Sequence, residues 1–78
     1  MARVRFFGPA ADAAGTRTAE VQGDTLGQVL TAMRSLYGAG FATVLDRSRV
    51  WLNGDDAEAH CRVGPDDEVA VLPPVSGG

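Results

Sequence analysis

The stretch that decides the fold is "GDTLGQVLTAMRSLYGAG", Gly23 to Gly40. Its apolar residues fall at Leu26, Val29, Leu30, Met33, Leu36 and Tyr37, offsets of 0, 3, 4, 7, 10 and 11 from the first. That spacing follows the 3.6-residue period and lays one apolar stripe along an α-helix. Thr25 and Gln28 stand at capping-box spacing, and Asp24 puts negative charge at the positive end of the helix dipole. Gly38 and Gly40 are expected to end the helix, since glycine adopts the terminal conformations without strain. The sequence therefore predicts a helix over about 25–38. Met33, on the stripe, reads as core filling rather than as an adaptable binding surface.

Outward from this helix the pattern changes to strands. "RVRFFG" (Arg3–Gly8) alternates, with Val4 and Phe6 on one face and Arg3, Arg5 and Phe7 on the other. "PAADAAG" is too short for an independent helix and reads as a single turn or loop ending at Gly15. "TRTAEVQ" (Thr16–Gln22) is a second strand, closing a hairpin with a wide connection. On the C-terminal side, "FATVLD" reads as a short helix or turn. "RVWLNG" is a third strand, Val50 and Leu52 opposing Trp51, ended by Asn53-Gly54. "AEAHCRVGPDDEV" is expected to hold a short edge strand and then a turn at Gly64–Asp67. "EVAVLPPV" is the last strand, Val69 and Val71 opposing Ala70 and Leu72, and Pro73 ends its pairing for want of an N–H. One main helix on one face of a mixed sheet of about five strands is the α+β solution for this length. With the first two strands as a hairpin and the last beside the first, it is the β-grasp, or ubiquitin-like, arrangement. Residues 1–74 are expected to form the domain and 75–78 a flexible tail beyond a central strand.

Size and composition narrow the function. A chain of 78 residues is one small domain. Folding at this size buries little more than ~60% of the unfolded surface, too little to build both a core and a deep cleft. No apolar run approaches a membrane span, and "MARVRFFGPAAD" lacks the apolar stretch of a signal peptide, so a cytoplasmic protein is expected. The single cysteine, Cys61, fits a reducing compartment. With no lysine in the chain there is no P-loop and no Schiff-base nucleophile. His60 and Cys61 are neighbours, which a strand points to opposite faces, and one of each falls short of a metal-ligand set. Arg47, Arg49 and Arg62 could read an anion but fit a solvated face better. Residues 1–49 carry six arginines against four acids, whereas residues 50–78 carry one arginine against six. The acidic C-terminal third argues against nucleic acid as the partner of the tail and for a basic protein surface, although on charge alone solvated acidic turns fit better.

What remains is the end, "PPVSGG", Pro73 to Gly78. A tail that threads into a partner's active site benefits from having no Cβ, and glycine supplies that slenderness. Pro73 and Pro74 are already conformationally restricted, so docking costs less entropy there. A carboxylate is a poor electrophile at neutral pH; condensed with ATP it becomes an acyl adenylate open to sulfur or nitrogen nucleophiles.

"DDEVAVLPPVSGG", "RVRFFG" and the "AAG" loop before the second strand resemble the small subunits of molybdopterin synthases, within the ubiquitin-like sulfur-carrier family. The resemblance spans essentially the whole chain. It implies the β-grasp fold and a terminal glycine adenylated by a ubiquitin-activating-like adenylyltransferase, which is the component that uses ATP; no cofactor is expected on the chain itself. A sulfur donor system then yields a thiocarboxylate. In a heterotetramer with the large synthase subunit, that sulfur passes to the cyclic pyranopterin precursor. By position Gly78 would bear the sulfur and Gly77 would be its slender neighbour. Phe7 and Leu72 match apolar contact positions, Trp51 shares their face, and Pro73, Pro74, Val75 and Ser76 would thread into the partner. Asp56 departs from the pattern where another apolar contact is expected. Neither a nucleic acid nor a membrane is implied. Other sulfur pathways (thiamine or cysteine synthesis), a ubiquitin-like protein modifier and a plain interaction module stay open. An activated terminus acylates amines, and a lysine-free carrier offers it no side-chain amine of its own.

Overall fold

The computed structural model describes residues 1–74. Its elements are β1 (Ala2–Phe6), α1 (Pro9–Ala14), β2 (Thr18–Val21), α2 (Leu26–Tyr37), α3 (Ala39–Arg47), β3 (Arg49–Leu52), β4 (Asp55–Asp56) and β5 (Glu68–Leu72). The strands form one sheet in the order β2-β1-β5-β3-β4. β1 and β5 run parallel at its centre, and the other pairs are antiparallel. This is the expected β-grasp, with the first and last strands side by side. No helix among the described residues is long and apolar enough to cross a membrane.

Alternation decides which face is buried. Ala2, Val4, Phe6, Val69 and Val71 turn inward and are almost completely buried beneath the helices. From α2, Leu26, Val29 and Met33 fill the same core, as the stripe requires, while Val50 and Leu52 pack at its margin. One residue of the stripe departs from it: Leu36 is 63% exposed, while Tyr37 beside it packs against the core, to which α3 adds Phe41 and Leu45. Phe6, Tyr37 and Phe41 meet in a cluster with ring centroids 5.1 to 5.7 Å apart, Phe6 edge-on to both partners. Such edge-to-face pairs add roughly 0.5–1.5 kcal/mol beyond their buried area.

The cap of α2 is a reciprocal pair. The Gln28 N–H donates to the Thr25 hydroxyl at 3.2 Å, and the Asp24 N–H donates to Gln28 Oε1 at 2.7 Å. The return bond thus reaches one residue before the cap. Two further N–H groups of the first turn, on Leu26 and Gly27, are taken up by the carbonyls of Cys61 and Ala59. The segment between β4 and β5 therefore serves as a lid on the helix start.

Three readings of the sequence are corrected. "PAADAAG" is a helix, not a loop: Pro9 preorganises its first turn, Gly15 closes it with φ 74°, and Ala10 is buried. Gly40 does not stop α2; Gly38 alone breaks the chain with φ 87°, and Gly40 lies inside α3. The short edge strand lies at Asp55–Asp56, ahead of the segment in which it was expected. Asn53 and Gly54 both have positive φ, 52° and 88°, which turns β3 straight back onto β4 in a two-residue hairpin.

Candidate functional site

Among the described residues, no helix lies on the outer face of the sheet. Register places Glu20, Arg3 and Glu68 in one row across it, and Thr18, Arg5, Ala70, Trp51 and Asp56 in the next. Leu72 opposite Arg49 forms the third row, which Phe7 extends. Alternation thus puts Phe7, Trp51, Ala70 and Leu72 on the uncovered face, as expected. Trp51 sits one row away from Leu72. Asp56 is exposed directly opposite Trp51, so that indole has a carboxylate as its cross-strand neighbour.

Phe7 lies just past the end of β1. Its N–H still donates to the Val71 carbonyl at 3.0 Å, which holds the backbone against β5, yet the residue is 36% exposed. The Arg5 guanidinium stands 5.5 Å from the Phe7 ring centroid and also reaches Glu68 at 3.8 Å. A cation over an aromatic face helps to fix the ring where it stands. Leu72, half-buried, is the last strand residue before Pro73 and Pro74, which are exposed.

The turn after β1 sets where the chain leaves. Gly8 has φ 56° and ψ −129°, a region that essentially only glycine occupies, and a Cβ there would stand 3.4 Å from Pro73 Cγ. The Gly8 turn and Pro73 therefore lie against each other at the end of the two central strands. Pro74 lines a groove of about 220 Å³ with Pro9, Val44, Arg47 and Ser48. The sequence reading missed this wall, whose signals were the caps Gly8 and Ser48 at the ends of two short helices. Val75, Ser76, Gly77 and Gly78, expected to thread and to carry the sulfur, lie outside the described residues.

The remaining chemistry-bearing residues lie apart from this exit. Cys61 is half-buried, and its carbonyl is committed to the start of α2. His60 is exposed and approaches Glu58 at 3.4 Å. Both stand in a loop rather than on the strand assumed for them. Asp67 lies at the other end of β5: Asn53 Nδ2 donates to its Oδ1 at 2.9 Å and the Gly64 N–H to its Oδ2 at 2.7 Å. These bonds, the Asn53 amide first, hold the Asp67 carboxyl below the usual carboxylate range. Asn53 Oδ1 in turn accepts from the Glu68 N–H, so one side chain ties the β3–β4 turn to the start of β5.

Comparison with known proteins sets this geometry among relatives. The model of the ThiS family matches residues 4–78, through both final glycines. No protein among the functionally curated sequences matches the chain. Small archaeal modifier protein 1 from Haloferax volcanii is 34% identical, with 97% of each chain covered and a TM-score of 0.77. A chain in the complex of subunits 1 and 2 of molybdopterin-converting factor from Helicobacter pylori is 26% identical, covering 99% of this chain and 97% of that one, with a TM-score of 0.71. CysO of Mycobacterium tuberculosis, 19% identical over 96% of this chain and 100% of its own, shares the fold with a TM-score of 0.80.

Proposed function

The chain belongs to the ThiS family of ubiquitin-like sulfur carriers, and from that premise we propose that it carries sulfur on the Gly78 carboxylate for molybdopterin synthesis. The observation that carries the reading is the family match running through Gly77 and Gly78. A central strand delivers the tail, and the Phe7–Leu72 patch stands beside its exit. An activating adenylyltransferase would condense the carboxylate with ATP, releasing pyrophosphate and leaving an acyl adenylate. A hydrosulfide equivalent from a sulfur donor then displaces AMP and leaves the thiocarboxylate. With the large synthase subunit as partner, the thiocarboxylate sulfur attacks a carbon of the pyranopterin precursor and displaces an oxygen leaving group from it; water then cleaves the acyl–sulfur bond, which leaves the sulfur on the pterin and returns the Gly78 carboxylate. Support for this pathway over its siblings comes from the Pro-Pro-Val-Ser-Gly-Gly ending and from the likeness to the Helicobacter converting-factor complex. The proposed place of action is the cytoplasm, where ATP and reduced sulfur are available.

A second reading has its own observation. The Haloferax relative at 34% identity is by name a modifier protein, and on that reading the same activated glycine would acylate lysine amines of other proteins. The two readings share the adenylate and differ in the nucleophile. Intact-mass analysis of the protein from its native cell separates them. We expect a fraction with one terminal oxygen replaced by sulfur, and sulfur transfer to the pyranopterin precursor once the large subunit is added. Gly78 joined to lysines of many proteins, with no thiocarboxylate, would replace this reading with the modifier one.

A further inference from the structure

Charge in this molecule is sorted along its strands. The row through Arg5 and Asp56 divides the sheet into two halves. On the tail side stand Arg17, Arg34, Arg47 and Arg49 against Asp12 and Asp46; Arg34 and Asp46 pair at 2.7 Å and cancel. On the far side stand Glu20, Asp55, Asp66, Asp67 and Glu68 against Arg3, with Asp24 and Arg62 together at the start of α2. The acidic C-terminal third is therefore not at the tail. β5 begins beside its acids and ends beside arginines.

Three of those arginines ring the exit. The Arg17 carbonyl accepts from the Phe6 N–H at 2.8 Å, which puts Arg17 beside the Phe7 turn. Arg47 lines the groove that holds Pro74, and Arg49 pairs with Leu72. All three are exposed, and none is ion-paired among the described residues, although Asp12 stands near Arg17 across a shared depression. The cations thus surround the apolar patch on a molecule whose net charge is −3.

We propose that this end is an electrostatic docking pole for an acidic protein surface, the rim of the channel that receives the tail. The placement of that channel rests on the carrier reading; the charge sorting does not. Guanidinium groups match carboxylates in planar, two-bond pairs, and an exposed like-charge cluster gains most from a partner that supplies them. The nucleotide is a poorer occupant: four residues extended beyond Pro74 span up to ~14 Å, so an adenylate on a threaded Gly78 lies deeper than arginines at the exit reach. Nucleic acid is disfavoured by the carboxylates at the far end, which repel a long polyanion. The far acids also help an acidic partner, because they orient the approaching molecule tail first.

The test uses the full chain and two probes, a mixed Asp/Glu decapeptide and a thymidine decamer. Amide shifts are followed at low salt and again at about 1 M, where the screening length falls to ~3 Å. The expected peptide shifts centre on Phe7, Arg17, Arg47, Arg49 and Leu72. They vanish at high salt and in the combined Arg17→Glu, Arg47→Glu, Arg49→Glu variant; should that variant not fold, Arg47→Gln with Arg49→Gln replaces it. Shifts centred on the far end, shifts spread evenly, or larger shifts with the thymidine decamer would overturn the proposal. With the activating enzyme, pyrophosphate exchange should show a KM for the carrier raised about tenfold or more by the charge reversals, with kcat unchanged. An unchanged KM would also overturn it. An enzyme that never activates the parent chain counts against the carrier reading instead, and the peptide titration then decides the docking pole alone.

Discussion

Phe7 and Asp67 each lie one residue outside a central strand, at opposite ends of the sheet, and they do different work. The Phe7 ring rests on the outer face and contributes nothing to the buried core, so truncating it should leave the fold intact. Phe7→Ala and Leu72→Ala are expected to weaken binding to the large synthase subunit by well over tenfold, in line with the ~2 kcal/mol or more lost at aromatic anchors. Titration of the subunit alongside thermal melts checks this; unchanged affinity with a lowered melting point would mean that these side chains serve the fold. Asp67 acts on stability instead. Its carboxylate is favoured by the Asn53 amide and then by the Gly64 N–H, so its folded-state pKa is lowered. A lowered folded pKa gives stability that is present above the unfolded value and lost as pH falls through the folded one. Asp67→Asn should therefore melt below the parent at neutral pH, and the gap should close as pH drops beneath the usual carboxylate range. A gap independent of pH would show that the Asn53–Asp67 bond owes nothing to the charge.

At the scale of elements, α2 shows what a sequence states openly. Its period, its capping residues and its Gly38 stop are all local, and the helix forms where they place it. Replacing Thr25 by alanine removes the hydroxyl that accepts from the Gln28 N–H. The expected cost is about 1 kcal/mol, a fall in Tm of roughly 4–8 °C for a domain of this size, while binding at the far tail exit stays unchanged. A thermal melt with a partner titration checks both. The elements that were misread depend on distant groups or on very short runs. α1 has only six residues and draws its stability from packing against α3 and burying Ala10, which no local period reports. β4 is a pair of exposed aspartates with no alternation to read. Its position follows from the Asn53-Gly54 turn, a hairpin signal that read as a strand end alone.

At the scale of the molecule, topology makes a site that composition conceals. Alternation along β1, β3 and β5 was enough to put Phe7, Trp51 and Leu72 on one uncovered face. Charge could not be read the same way, because Asp66 and Pro73 are close in sequence yet flank opposite ends of β5, whose five residues span roughly 13 Å at strand rise. Among the described residues, every buried core residue lies between Ala2 and Val71. Deleting Gly78, or adding one residue after it, should leave the melting transition unchanged. It should also abolish thiocarboxylate formation, since the carboxylate would no longer stand where the activating site expects it and an added Cβ would widen the threaded chain. Intact-mass analysis after incubation with the activating enzyme, ATP and sulfide reads the result directly. Normal sulfur transfer by an extended chain that is shown not to be trimmed would separate the function from Gly78, and with it from the tail.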